Sequence, residues 1–387
     1  MATISETTDL SKQYDTPLGL AHTTMQALKD RIKQHYDLAS DYYLNLWGEH
    51  IHHGYWPTDE SKANDSKETA QLNLIRLLLS IADLPVPLTD GKGQEGSHEP
   101  SGDKSHHDQH PLRILDVGCG LGGTTRFLAS SLGAAVTGIT ISDTQVRIAS
   151  RLTENAAAAA AAASAVTGSA DEGTGRSTPP NDARPGNNQE ADGEGEGKKI
   201  NTFIPLGPLG GKVRFLELDA EKMAEFFTSP SSTDRGGEFD IIWISEALSH
   251  LPDKPRFFRS AHRLLVPGGK LVVADWFKAE RLSEAEVETD IKPIEDGMLL
   301  PALHTQADYI RLAEEAGLRL LNGPLDISKD VSKTWDISWS LVQNPSLWAF
   351  AFSQGRDGIA FLQAFRAMRR GYANGSFRYG VMAFVKD

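Results

Sequence analysis

A single cysteine, Cys119, stands among 387 residues, so an internal disulfide is impossible and a secreted fold stapled by bridges is excluded. Basic residues are in deficit: 39 Lys plus Arg against 52 Asp plus Glu leave a net charge of -13. Such a surface repels phosphate backbones and anionic membranes, which argues against nucleic acid as a partner. Also missing is any run of the roughly 20 apolar residues that a membrane helix needs. Even the segment from Trp348 to Phe365 is broken by Gln354, Arg356 and Asp357. The start of the chain lacks a basic stretch followed by an apolar one, so no secretory signal is expected, and no solenoid or propeller repeat recurs. These absences lead to the expectation of a cytoplasmic protein without an integral membrane segment; they leave its oligomeric state open.

What is present is 40% hydrophobic and 24% charged, the composition of a globular protein. Two stretches depart from it. Residues 89–110 are rich in Gly, Ser, Asp and His without apolar periodicity, and 166–200 are more extreme; such composition buries too little apolar surface to offset chain ordering, so both are expected to be disordered loops. The alanine run 156–163 before the second should extend a helix. Elsewhere strands and helices alternate. Arg113 to Val117, Ala135 to Thr140, Val213 to Leu218, Phe239 to Ile244 and Lys270 to Phe277 read as strands. Gly122 to Leu132, the stretch from Asp143, a short piece from Glu221 and Lys254 to Val266 read as helices, the last stopped by Pro267-Gly268-Gly269. That rhythm predicts a doubly wound, mostly parallel α/β sheet with helices on both faces. The C-terminal third is mostly helical, with strands near Leu318 to Leu321 and Phe377 to Phe384, and Met25, Leu28, Ile32 and Tyr36 recur at helical spacing. An N-terminal helical lid over residues 1–60 would then precede a core over 61–387 with a C-terminal helical cap, both ends reaching the carboxyl edge where such sheets bind ligands.

The strongest motif is Ile114-Leu-Asp-Val-Gly-Cys-Gly-Leu-Gly-Gly123, a strand entering a glycine-rich turn and then a helix. Glycines let a backbone approach a ligand closely, and the helix start favours a carboxylate or phosphate. Gly118, Gly120 and Gly123 also satisfy the dinucleotide pattern. Against that reading, the second strand runs into Gly138-Ile-Thr-Ile-Ser-Asp-Thr-Gln145 and not into a lone acidic residue. The third ends Glu217-Leu-Asp-Ala220, a carboxylate and a backbone N–H suited to an adenine edge.

With FDIIWISEALSHLPDKPRFFRSAHRLLVPGGKLVVADW, the chain resembles class I S-adenosylmethionine-dependent methyltransferases. HYDLASDYYLNLWGEHIHHGYW, VGCGLGGTTRFLA, GITISDTQ, SEALSHLPDK and the ending LQAFRAMRRGYANGSFRYGVMAFVK are similar to the γ-tocopherol C-methyltransferase group, with sterol C-methyltransferases and cyclopropane synthases as wider relatives. The resemblance implies S-adenosyl-L-methionine as cofactor. Asp116, Gly118, Gly120 and Gly122 would hold its amino-acid part, Thr140 and Gln145 its ribose, Asp219 and Ala220 its adenine, and Ser245 its methionine side. Blander roles exist: Ser142 and Gln145 fit a capping box, Asp219 fits a helix start, and Cys119 fits a small core filler.

Attack through the carbon of a phenol requires loss of the hydroxyl proton, so a general base is expected at the carboxyl edge. Glu246 and His250, four apart, match the family's acid/base motif, although its second glutamate is Ser249 here. His250 would orient Glu246 or take the proton itself. His53 and Tyr55, from a cluster that resembles the family's lid, and Trp276 at the end of the fifth strand are expected to touch substrate. No metal is expected, because no ligand spacing of a catalytic zinc helix occurs. The expected reaction is methyl transfer to a carbon of a small, hydrophobic, aromatic or prenylated metabolite. An N- or O-methyltransferase of small metabolites and a cofactor-binding regulatory protein without chemistry are the alternatives.

Overall fold

The computed structural model describes residues 25–87, 111–168, 202–229, 238–342 and 356–387. The segment 89–110, all but the start of 166–200, and Trp348 lie outside the described residues. The chain opens with α1 (Met25–Trp47), α2 (Asp59–Asn64) and α3 (Lys67–Ile81). The alternating region follows as β1 (Arg113–Val117), α4 (Gly123–Leu132), β2 (Ala135–Thr140), α5 (Asp143–Gly168), β3 (Ile204–Leu206), β4 (Gly211–Glu217), α6 (Met223–Thr228), β5 (Phe239–Ser245), α7 (Lys254–Leu264) and β6 (Leu265–Lys278). After it come α8 (Glu284–Glu286), α9 (Lys292–Gly297), α10 (Gln306–Glu315), β7 (Leu318–Asp326), α11 (Ser328–Val331), α12 (Lys333–Val342), α13 (Arg356–Asn374) and β8 (Phe377–Lys386).

The eight strands form one sheet in the order β3-β4-β2-β1-β5-β6-β8-β7. The five from β4 to β6 are parallel, while β8 runs antiparallel to both β6 and β7. Alternation along each strand divides the core in two. Ile114, Val136, Phe215, Trp243 and Val272 pack on one face, and Leu115, Ile139, Leu216, Ile242 and Val273 on the other. Burial on both sides is why these strands are mostly apolar, with polar residues such as Asp116, Arg214 and Asp240 as exceptions. Truncating one such side chain, as in Ile242→Ala, removes about 2–5 kcal/mol.

Two local expectations needed correcting. The helix before Pro267 ends at Leu264, and the chain pairs with β5 from Leu265 onward through a register shift, so the Pro-Gly-Gly turn interrupts a strand edge instead of capping a helix. The strand expected near Leu318 to Leu321 continues to Asp326, because β8 offers it a partner along that length. The short antiparallel β3 and the helix α3 carry no strong periodic signal of their own. The capped start of α3 at Ser66, which accepts from the Thr69 N–H, is their clearest local mark.

The N-terminal helix is tied to the carboxyl edge mainly by polar contacts. Lys29 bridges Asp219 at 2.9 Å and Glu221 at 2.5 Å, Lys33 meets Glu217 at 2.8 Å, and the Ser142 hydroxyl donates to Asp37 at 2.5 Å. It therefore lies over the mouth of the parallel strands.

Candidate active site

β1 passes into α4 through a turn pinned to β2, where the N–H groups of Gly118 and Cys119 donate to Ile139 O at 2.9 and 3.0 Å. A Cβ at Gly120, whose φ is +53°, would meet only Ile51 Cδ1 at 3.6 Å, so the space before it is open for a ligand. Gly122 is different: a Cβ there would strike Phe215 at 2.6 Å, and the residue is not among those lining the cavity. The close packing of α4 on β4 is what requires glycine there.

Asp116, Gly118, Gly120, Thr140, Gln145, Asp219, Ala220, Ser245, Glu246 and His250 all line one cavity at the carboxyl edge. The Asp116 carboxylate is buried and accepts from the Thr125 hydroxyl at 2.6 Å; burial nevertheless pushes its pKa up to about 6. The Thr140 hydroxyl donates to Gln145 Oε1 at 2.6 Å, while the Gln145 N–H donates to Ser142 Oγ at 3.1 Å. Gln145 therefore both belongs to the helix start and faces the cavity. Asp219 accepts from the Glu221 N–H at 2.9 Å and also holds Lys29. Helix-start and cavity-wall roles coexist in it as well.

The segment 49–56 closes the cavity from the other side. Arg126 on α4 holds the Glu49 carboxylate at 2.7 Å, and the Gln71 amide on α3 donates to the carbonyls of His50 and His52 at 2.5 and 3.1 Å. Burial lowers the pKa of His50 to about 3 and that of His52 as well, so both rings are neutral at physiological pH. His50, Ile51 and His52, from the cluster that resembles the family's lid, line the cavity, and Lys29 and Tyr36 add walls that the sequence did not single out.

At the end of β5, Glu246 leaves the strand at φ +54°, a strained backbone for a non-glycine residue. Its carboxylate receives the His53 N–H at 2.7 Å, the His53 Nδ1–H at 2.9 Å and the Tyr379 hydroxyl at 2.8 Å. Burial opposes ionisation, yet the His53 contacts hold the carboxyl below its usual range. His250 meets the Tyr36 hydroxyl through Nε2 at 3.4 Å, and burial with the Glu246 charge raises Tyr36 to about 12. The loop carrying these groups is supported from beneath by Lys254, whose buried ammonium donates to the carbonyls of Ser249 and Leu251; burial lowers its pKa to about 8.

The three expected substrate residues are not in the cavity wall. His53 and Trp276 sit behind Glu246 in a box of rings with Trp335, Tyr372 and Tyr379. Tyr55 packs on the core beside α3, its N–H donating to Ala70 O. No group of three or more His, Cys, Asp or Glu side chains suited to a metal occurs among the described residues.

The cavity fits a cationic, nucleoside-bearing methyl donor. Asp116 is a buried carboxylate that a positive amino group would return to its ordinary pKa range. The space at Gly120 admits the amino-acid end, and the buried Ser245 hydroxyl has no partner among the described residues. Lys29 compensates Asp219, so the negative charge of the wall comes from Asp116 and Glu246, which suits a sulfonium.

Residues 85–322 match a family model described as a methyltransferase domain. A chloroplastic tocopherol O-methyltransferase from Arabidopsis thaliana is 24% identical over 95% of this chain and 85% of its own length. A 2-methyl-6-phytyl-1,4-hydroquinone methyltransferase from Synechocystis sp. is 32% identical over 42% of this chain and 31% of its own. Among solved structures, the cyclopropane synthase MmaA2 from Mycobacterium tuberculosis superposes with a TM-score of 0.59 at 15% identity, covering 92% of this chain and 98% of that one. No helix among the described residues is long and apolar enough to cross a membrane.

Proposed function

Because the chain belongs to the methyltransferase-domain family and uses S-adenosylmethionine as methyl donor, we propose that it methylates a carbon of a small, hydrophobic, aromatic or prenylated hydroxy compound. The donor supplies an electrophilic methyl group on a leaving group that is already activated. The residues of the chain therefore align the acceptor, exclude water and move a proton. Asp116, Gly118 and Gly120 would hold the amino-acid end, Thr140 and Gln145 the ribose, Asp219 and Ala220 the adenine, and Ser245 the methionine side. Of the lid expected over residues 1–60, residues 1–24 lie outside the described residues; the remainder would act as a lid on a core of residues 61–387.

The observation that carries the acceptor reading is Glu246. It is a buried, ionised carboxylate at the strand end, held by three donors beside the cavity. Methylation of a hydroxyarene, on carbon or oxygen, requires loss of the hydroxyl proton, and Glu246 is the charge around which that loss is organised, with His250 beside it. The Arabidopsis and Synechocystis relatives are named for a tocopherol and a phytyl hydroquinone, acceptors of this kind. Transfer to oxygen is the second reading, since the Arabidopsis relative is named as an O-methyltransferase.

The lone, buried, unpaired Cys119 supports a reducing compartment, and we propose the cytoplasm. The test is incubation with methyl-labelled S-adenosylmethionine and 2-methyl-6-phytyl-1,4-hydroquinone or a metabolite extract. The expected product carries a new carbon-bound methyl by NMR. A product methylated only on oxygen or nitrogen would overturn the carbon reading.

A further inference from the structure

Two lysines of α1, one helical turn apart, come down on the carboxyl edge, and only one of them reaches the cavity. Lys33 meets Glu217 at 2.8 Å and Asp37 at 3.5 Å and lies outside the cavity wall. Lys29 bridges Asp219 and Glu221 and is itself part of the wall. Burial works against its charge, but the two carboxylates outweigh that and raise its pKa, so Lys29 is an ammonium throughout the physiological range. An ammonium has three N–H donors. Two go to the carboxylates, and the third has no protein partner among the described residues. Asp219 gives Oδ1 to the Glu221 N–H and Oδ2 to Lys29, and each oxygen keeps a second lone pair. A ligand at this point of the wall therefore meets a carboxylate that can accept once more beside an ammonium that can donate once more. Adenine carries the matching pair on one edge, its amino group next to ring nitrogen N1.

Resting on the placement of adenine at Asp219 given above, we propose that Lys29 is a nucleoside-reading latch. It donates to adenine N1 while it pairs with Asp219 and Glu221, so a bound nucleoside holds α1 closed over the cavity. The consequence reaches the reacting end. Glu221 Oε1 also accepts the Asp253 N–H at 2.7 Å, where α7 begins just beyond the loop that carries His250. Two helical turns along α1 from Lys29, Tyr36 meets His250. An α1 seated by adenine thus brings its tyrosine to that loop. With α1 away, Glu217, Asp219 and Glu221 lose their lysines and leave an acidic mouth, which draws in a cationic methyl donor. Lys33 has the same charge and grips the same edge without touching the cavity. It therefore separates plain clamping of the helix from reading of the base.

Hydrogen exchange of the full chain, read by mass spectrometry over residues 25–47, tests this beside calorimetry of each ligand. The probes are S-adenosylhomocysteine, its 1-deaza analogue, adenosine and methionine, each at saturation. S-adenosylhomocysteine and adenosine should slow exchange of α1 by about tenfold or more, and methionine should leave it unchanged. The 1-deaza analogue lacks the nitrogen that Lys29 would meet. It should bind wild type about tenfold more weakly and fail to slow α1. Lys29→Met should weaken S-adenosylhomocysteine to a similar degree and no longer distinguish it from the analogue. Lys33→Met should exchange faster than wild type when empty, yet keep the full slowing by ligand, which a merely structural pair of lysines would not separate. Slowing of wild-type α1 by the 1-deaza analogue as strong as by its parent overturns the latch and leaves adenine at Asp219. Slowing that persists in Lys29→Met overturns it as well. Slowing by methionine and not by adenosine removes adenine from Asp219, and the role of Lys29 with it.

Discussion

Under the glycine turn, Asp116 is a buried carboxylate pushed up to about 6, and the space before Gly120 is open. At the other end of the same cavity, Glu246 takes three hydrogen bonds, is held low against burial by its His53 contacts, and is surrounded by rings. The first end gains its partner, a cationic amino acid, only when the cofactor arrives. The second is complete before any ligand binds. One end is therefore built for affinity and the other for a pre-set charge, so changes at the two ends should fail in different ways.

The largest effect is expected at the open end. Gly120→Val fills the space that the amino-acid part needs and forces a β-branched residue to φ +53°, a left-handed conformation such residues avoid. Binding of S-adenosylmethionine and S-adenosylhomocysteine, read by calorimetry, should be abolished. The wild type should be thermally stabilised by both and not by NAD; stabilisation by NAD alone would return the glycine turn to a dinucleotide role.

Next comes the charge at the pre-set end. Glu246→Gln keeps the shape but presents an amide to the His53 N–H groups. Single-turnover rates should drop by roughly 10²-fold or more, and His250→Ala should lose a similar amount or less. Unaltered rates and pH dependence in Glu246→Gln would mean catalysis by alignment alone.

A smaller effect separates the two carboxylates by pH. Free Asp116 holds a proton below about 6 and must release it when a cationic amino group docks. S-adenosylhomocysteine affinity should therefore fall by roughly tenfold per pH unit below that value, and be level above it. Asp116→Asn should be weak and flat across the range, and a wild-type profile that is itself flat would show that no cation meets Asp116. The smallest effect is expected for Tyr379→Phe. It removes one of three donors to Glu246, and a loss of about 0.5–3 kcal/mol in stability by urea unfolding, with a few-fold lower turnover, is the expected result. A wild-type stability would mean that the hydroxyl contributes nothing to the site.

The two ends also differ in how far the amino-acid order reveals them. The glycine turn, Asp116 and the Thr140–Gln145 pair are local: each lies within a few residues of a strand end, and strand ends follow from largely apolar runs such as Phe239 to Ile244. Even there one role was hidden, because the need for glycine at 122 comes from Phe215, far along the chain. The partners of Glu246 are 193 and 133 residues away in His53 and Tyr379. No local pattern pairs them; only the register that sets Trp276 against Tyr379 on neighbouring strands, and the clasp of Gln71 on the His50–His52 carbonyls, bring them together. Trp276 showed its position at the strand end but not its neighbours. The end of α7 was misplaced for a related reason, since pairing of Leu265 with Phe239 on β5 ends the helix at a point that propensity leaves undecided.

The most direct test of this division is the affinity of Glu246→Gln for S-adenosylhomocysteine, whose neutral sulfur carries no charge for Glu246 to attract. Titration calorimetry beside the turnover assay should give a Kd within about twofold of wild type while methyl transfer is lost. A Kd that weakens in step with the rate would show that the two ends are one binding surface and would contradict the separation of affinity from proton transfer.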